Sequence, residues 1–169
     1  MKLKFILPLL LVLIAAPSFS QVKVQSKAYE EMLRDLLSHT VDEVTVAEIS
    51  DKDSTIVFLD AREWSEFKVS HIKNAIWVGY DDFDFSRLDS SIKKSDKIVV
   101  YCSVGYRSEK IAEKLEKKGY KNVHNLYGSI FEWVNQGKLV YNMKGQTTQK
   151  VHGFNPEWGR WLRKGVRVY

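Results

Sequence analysis

The stretch YCSVGYRSEK, residues 101–110, joins the end of an apolar run to the start of a helical pattern. The run KIVVYC, residues 97–102, has the continuous β-branched character of a strand buried on both faces, as in a parallel sheet. RSEKIAEKLEKKGY, residues 107–120, predicts a helix with lysines in its last turn and a glycine just beyond. The junction carries Cys102, the only cysteine of the 169-residue chain.

Further strands and helices alternate on both sides of this junction. STIVFLDARE, AIWVGY and NVHNLYG predict strands, while EWSEFKVSH and GSIFEWVNQG predict short helices. An amphipathic helix, AYEEMLRDLLSH, precedes them, and TVDEVTVAEIS predicts a short strand or turn leading into a short helix. The alternation predicts an α/β domain of three layers, α/β/α, around a central, mainly parallel sheet of about five strands.

The first twenty residues predict export. MKLKFILPLLLVLIAAPSFSQ has two lysines, an apolar run interrupted by a proline, and small residues suited to cleavage before Gln21. An uncleaved anchor is the alternative, although the run is shorter than the usual span of about 20 residues. We therefore expect a signal peptide at 1–20, a periplasmic location and no stable membrane insertion after cleavage.

Charge points to no particular macromolecular partner. Loss of the two lysines in residues 1–20 lowers the formal net charge from +5 to +3, and the remaining charges are mixed along the chain. We expect no nucleic-acid partner. In the basic, aromatic tail, Trp158, Trp161 and Leu162 have helical offsets, which predicts that they dock on the domain while the cations face water.

Cys102 has three possible roles: an inert buried thiol, an intermolecular disulfide partner or a reactive group. It lies where the carboxyl end of a strand meets a helix N-terminus, and loop N–H groups and the helix dipole would stabilise an anion there. We therefore expect a lowered thiol pKa. Gly105 would supply a positive φ for the tight loop, and Arg107 a cationic fork for an oxyanion.

Three stretches together resemble rhodanese-like sulfurtransferases. CSVGYR, residues 102–107, resembles the family's active-site loop, C-x-x-G-x-R. IVFLDAREWSEFKVSHIKNAIWV is similar to a strand ending in D-x-R followed by E-[W/Y]-x-x-x-H-I-x-x-A. LEKKGYKNVHNLYGSIFEW is similar to G-[F/Y]-x-x-V-x-x-L-x-G-G-x-x-x-W. The resemblance implies a linker and helix at 21–43, a rhodanese-like domain at 44–136 and a C-terminal extension at 137–169 packed on it.

The family resemblance implies a thiosulfate or persulfide sulfurtransferase in which Cys102 carries a sulfane sulfur as a persulfide. Arg107 would hold a small sulfur-containing anion such as thiosulfate or polysulfide, and a small or protein thiol would accept the sulfur. The resemblance implies no cofactor and no metal. The loop residues expected around the persulfide and donor are Ser103, Val104, Gly105, Tyr106 and Ser108.

Residues outside the loop are expected to act as supports. Asp60 and Arg62 match the family's D-x-R, and Asp60 would accept hydrogen bonds beside the loop and orient Arg107. His71 is interpreted as a structural residue that holds a turn. Ser129 replaces the second glycine of the family's L-x-G-G, a change expected to alter a turn without touching the loop.

Two other functions are alternatives to sulfur transfer. Cysteine-dependent phosphatases have five residues between cysteine and arginine, but here there are four, a cradle suited to a single sulfur atom and too small for a phosphoryl group. The second alternative is an exported redox or sulfur-carrier binding module, in which Cys102 forms a transient disulfide with a partner protein.

Overall fold

The computed structural model describes residues 23–50, 53–88 and 90–169. Its central sheet has five parallel strands in the order β1-β5-β4-β2-β3, which confirms the predicted fold class. The strands are β1 Glu43–Val44, β2 Val57–Asp60, β3 Ile76–Trp77, β4 Ile98–Tyr101 and β5 Val123–Leu126. The expected signal peptide lies outside the described residues.

Helices cover both faces of the sheet. Alternate residues of β4 belong to two hydrophobic clusters: Val99 and Tyr101 pack in one, and Ile98 and Val100 in the other. Because strand side chains alternate between faces, this division produces the three layers. The helices are α1 Lys27–Leu36, α2 Trp64–Val69, α3 Tyr106–Lys117, α4 Ser129–Asn135 and α5 Pro156–Gly159, with 3-10 turns at Val46–Glu48 and Phe85–Arg87.

The C-terminal extension wraps against the domain. It forms two small sheets, β6 Val140–Tyr141 with β7 Thr147–Thr148, and β8 Lys150–His152 with β9 Val166–Val168. Leu162 is buried in the same cluster as α1, and Trp161 stacks on Tyr29 with ring centroids 5.2 Å apart. Trp158 packs against that cluster as well, so the extension is held by apolar contacts. Within the described part of the chain, no helix is both long and apolar enough to cross a bilayer.

Candidate active site

The loop between β4 and α3 is built around Cys102. Gly105 is the N-cap of α3 and has a φ of 135°, so its predicted positive φ is confirmed. Any residue with a Cβ would be strained in that conformation. The Gly105 N–H donates to Cys102 Sγ at 3.1 Å. The N-terminal end of α3 thus points a backbone donor at the sulfur.

The Cys102 thiol is buried, with 1% of the residue exposed. Burial by itself would raise its pKa, because a thiolate is poorly solvated there. The charge of Arg107, the hydroxyl and N–H of Ser108 and the N–H of Gly105 outweigh burial, and the pKa lies below its ordinary value. This is the direction predicted from the position of the cysteine. The site favours the nucleophilic thiolate.

Arg107 is held by a carboxylate that sequence reasoning missed. Its guanidinium donates to Glu66 on α2 through two bonds, Nη1 to Oε2 at 2.7 Å and Nη2 to Oε1 at 2.9 Å. Ser103 Oγ accepts from Arg107 Nη2 at 3.0 Å and donates to Glu66 Oε1 at 2.9 Å. Such a bidentate pair fixes the guanidinium plane. Glu66, Ser103 and Arg107 therefore form one closed network beside the thiol.

The expectation that Asp60 orients Arg107 is wrong. Asp60 instead binds Arg62 two residues away, with Oδ2 accepting from Nη2 at 2.6 Å and Oδ1 accepting from Nε at 2.9 Å. Arg62 Nη2 also donates to the Ser70 carbonyl at 2.6 Å, and Asp60 and Arg62 are both fully buried. The short D-x-R spacing brings these charges together locally, which leaves Glu66 as the partner of Arg107.

Ser129 also differs from its expected role, because it contacts the loop directly. Its Oγ accepts the backbone N–H of Cys102 at 3.0 Å and lies 3.2 Å from the Leu126 carbonyl, to which it donates. Ser129 itself has a φ of 51°, in the left-handed region that favours glycine. The serine thus replaces a glycine at a strained position and gains a hydrogen bond to the nucleophile's own backbone.

Below the loop, Ser108 and Asn125 connect α3 to β5. Ser108 Oγ lies 2.7 Å from Asn125 Oδ1 and 3.0 Å from the Gly105 carbonyl, which also accepts from Asn125 Nδ2 at 3.1 Å. Ser108 and Asn125 are fully buried. Because this polar network holds the Gly105 peptide, it also fixes the N–H that faces the sulfur.

A pocket of about 270 Å³ opens over the thiol. Its lining includes four predicted loop residues besides the cysteine, namely Ser103, Val104, Tyr106 and Arg107, and three residues that were not predicted, Leu36, Phe154 and Trp158. Phe154 and Trp158 come from the C-terminal extension and Leu36 from α1. The extension is therefore part of the site as well as of the core.

The remaining predicted residues lie away from the pocket lining. His71 Nδ1 lies 3.2 Å from the Phe67 carbonyl and its ring stacks on Phe67, an environment that fits the structural interpretation. Asp60 and Arg62 support the end of β2 without lining the pocket. Among the described residues, no cluster of three or more His, Cys, Asp or Glu side chains could hold a metal ion.

A cysteine sulfur held by a loop and a helix N-terminus, at the carboxyl edge of a parallel sheet, defines a cysteine-based nucleophile site. The rhodanese-like domain model matches residues 43–136, more than half of the chain, so the protein belongs to the rhodanese-like domain family. Two solved structures are similar in fold at 23% identity: a thiosulfate sulfurtransferase from Pseudomonas aeruginosa and a Bacillus halodurans protein, with TM-scores of 0.56 and 0.55. They cover 75% and 70% of this chain, which spans 24% and 86% of theirs.

Curated relatives match part of this chain. The tRNA uridine(34) hydroxylase of Hamiltonella defensa is 36% identical over 108 residues, 61% of this chain, and that of Pelagibacter ubique is 36% identical over 87 residues, 51% of the chain. This chain spans only 28% of the length of each of these relatives. The likeness thus concerns only a segment of larger proteins.

Proposed function

We propose that this protein is a sulfurtransferase that carries sulfane sulfur as a persulfide on Cys102. The observation that supports this most strongly is the Gly105 N–H, 3.1 Å from a buried Sγ, in a loop that reaches Arg107 within five residues. Preorganised N–H donors around a buried sulfur suit an anion that stays on the sulfur between two reactions. An inert core cysteine has no use for such donors.

The proposed reaction has two steps. In the first, the Cys102 thiolate attacks the outer sulfur of a donor and forms a new S–S bond. The bond between that outer sulfur and the rest of the donor breaks, and its electron pair leaves with the leaving group, which is sulfite in the case of thiosulfate. In the second, an acceptor thiolate or cyanide attacks the outer sulfur of the persulfide and releases the Cys102 thiolate. No net electron is gained or lost by the protein.

Each neighbour then has a defined task. The N–H groups of Gly105 and Ser108 stabilise the negative charge of the thiolate and of the persulfide. Arg107 adds positive charge, and Glu66 fixes its orientation. Ser129 anchors the backbone of Cys102. The hydroxylase activity named for the curated relatives belongs to proteins of which this chain spans only a small share, so it does not carry over to this chain.

Intact mass spectrometry tests the proposal. Samples of wild type and Cys102→Ser with the same chain length are incubated with thiosulfate or with inorganic polysulfide, desalted, and then treated with cyanide. We expect wild type alone to gain one sulfur atom, and cyanide to remove it as thiocyanate. Ser70→Ala is a matched serine control outside the pocket lining and should load like wild type.

The alternative, a redox or sulfur-carrier binding module, gives a different result. Such a module would show no persulfide with either donor, although its thiol reacts with alkylating agents. It would instead form a mixed disulfide with one defined protein partner. That combination of results would overturn the sulfurtransferase proposal.

We also propose that the protein is exported, on the basis of the pattern in residues 1–20. N-terminal sequencing of the protein recovered after cell fractionation should give Gln21 in an extracytoplasmic fraction. Recovery of the uncleaved chain from the cytoplasm would contradict export and leave the sulfur chemistry unaffected.

A further inference from the structure

The walls of the active-site pocket are mostly apolar. Five of its eight lining residues carry apolar or aromatic side chains, and the pocket is close in size to small-ligand sites, which usually occupy about 300–1,000 Å³. The five come from α1, the loop and helix around the thiol, and the C-terminal extension: Leu36, Val104, Tyr106, Phe154 and Trp158.

The charge at this pocket is already balanced. Apart from the reacting Cys102 sulfur, Arg107 is the only charged side chain among the described residues that line it, and both of its terminal nitrogens donate to Glu66. The neighbouring Arg62 is likewise paired with Asp60. A dianion such as thiosulfate would have to compete with Glu66 for the guanidinium, and it would lose its hydration against apolar walls.

Phe154 provides a second, independent observation. Its φ of 64° lies in the left-handed region, where a bulky side chain is an outlier. The Phe154 N–H donates to His152 Nδ1 at 3.0 Å, which holds this turn. The ring stays 47% exposed and lies over the Arg107 guanidinium, 5.1 Å from its carbon. Backbone strain that keeps an apolar ring at the rim of a site motivates a functional interpretation.

We propose that the pocket selects sulfane-sulfur donors that have an apolar body and at most one negative charge, of the aryl thiosulfonate class, over the dianion thiosulfate. This rests on the proposed function, because it concerns the same Cys102. The aryl group would pack between Phe154 and Tyr106 and over the apolar part of the wall, while the terminal sulfur reaches the thiolate.

The reaction balances for the probe benzenethiosulfonate. Cys102 Sγ bonds to the terminal sulfur, the bond between that sulfur and the sulfonyl sulfur breaks, and its electron pair leaves with benzenesulfinate. The total charge is unchanged, and no further oxidant, reductant or proton is required. Phe154 acts as a specificity-determining residue in this step, since it touches the donor's body and not the sulfur.

The test compares kcat/KM for benzenethiosulfonate and thiosulfate, with cyanide as acceptor, at one ionic strength. Because the donors differ in intrinsic reactivity, the readout is the change in their ratio between variants. In Phe154→Gly we expect kcat/KM for the aryl donor to fall about tenfold more than kcat/KM for thiosulfate. The melting temperature should not fall, because glycine adopts the left-handed conformation freely.

Met143→Ala is the matched control, because Met143 is a half-exposed apolar residue of the same extension that does not line the pocket. It should leave the donor ratio at the wild-type value. A donor ratio in Phe154→Gly equal to that of wild type, whether or not both rates fall, would overturn the inference while the sulfurtransferase proposal stands. If neither donor loads sulfur on Cys102, both this inference and the sulfurtransferase proposal are overturned.

Discussion

Two arginine–carboxylate pairs stand side by side at the carboxyl edge of the sheet, and they differ in reach and setting. Asp60 and Arg62 are two residues apart, and both side chains are completely buried. Glu66 and Arg107 are separated by 41 residues, join α2 to α3, and leave the Arg107 side chain 13% exposed at the pocket. The side chains of the first pair bind each other away from the pocket, whereas the second pair lies beside the nucleophile.

This difference separates a structural charge pair from a functional one. Arg62 also donates a hydrogen bond to the Ser70 carbonyl at the end of α2, so the pair connects β2 to that helix. Arg107 also donates a hydrogen bond to Ser103 in the loop, and its charge lowers the pKa of Cys102. Breaking the first pair should therefore cost stability, and breaking the second should change thiol chemistry.

The largest effect on stability is expected at the Asp60–Arg62 pair. Asp60→Asn leaves the Arg62 charge buried without a counterion, which costs about 3–5 kcal/mol of the free energy of unfolding. Urea denaturation measures this loss. The double variant Asp60→Asn with Arg62→Met removes both charges and should be more stable than the single variant. A single variant within about 1 kcal/mol of wild type would contradict the structural role of the pair.

Breaking the Glu66–Arg107 pair should shift the pKa of the Cys102 thiol in opposite directions, depending on which partner is replaced. Arg107→Gln removes the charge that most lowers the Cys102 pKa, so the thiol pKa should rise, and sulfur loading should slow by about 10²-fold. Glu66→Gln removes the negative charge opposite Arg107, so the thiol pKa should fall further. The pH dependence of alkylation measures both shifts, with Cys102→Ser as the blank. Shifts of equal sign would contradict the pairing of Glu66 with Arg107.

The sequence allowed prediction of those site residues that are close together along the chain. Cys102, Gly105 and Arg107 share one loop, and a strand followed by a helix is enough to place them. The carboxylate partner of Arg107 was not predicted, because Asp60 and Glu66 offered the arginine two alternative pairings. Glu66 stands five residues before His71, the spacing of E and H in the quoted motif E-[W/Y]-x-x-x-H, and this was a signal that could have been used. Phe154 had none, since only tertiary packing brings the extension over the loop.

Acidification should open the Glu66–Arg107 pair in a predictable range. Burial alone would raise the pKa of the Glu66 carboxyl, but the hydrogen bonds and charge of Arg107 outweigh it, and the pKa lies below the ordinary value. Because its pKa is lower in the folded than in the unfolded chain, the ionised carboxylate stabilises the fold at pH values above the unfolded pKa of about 4.3. This stabilisation is lost as the pH falls through the lower, folded pKa. The difference in unfolding free energy between wild type and Glu66→Gln should therefore shrink on acidification. A gap that stays constant down to acid pH would show that Glu66 does not titrate as part of the pair.

The smallest effect is expected at Ser129, where a neutral hydrogen bond holds the loop instead of an ion pair. Ser129→Ala keeps a Cβ in the left-handed conformation and leaves the buried Cys102 N–H unpaired, which costs about 1–3 kcal/mol. Ser129→Gly loses the same bond but relieves about 1 kcal/mol of strain, so its unfolding free energy should lie between those of wild type and Ser129→Ala. Urea denaturation of all three proteins measures this order. Because the two variants share the lost bond, their difference isolates the strain, and equal stabilities would mean that the left-handed serine costs nothing.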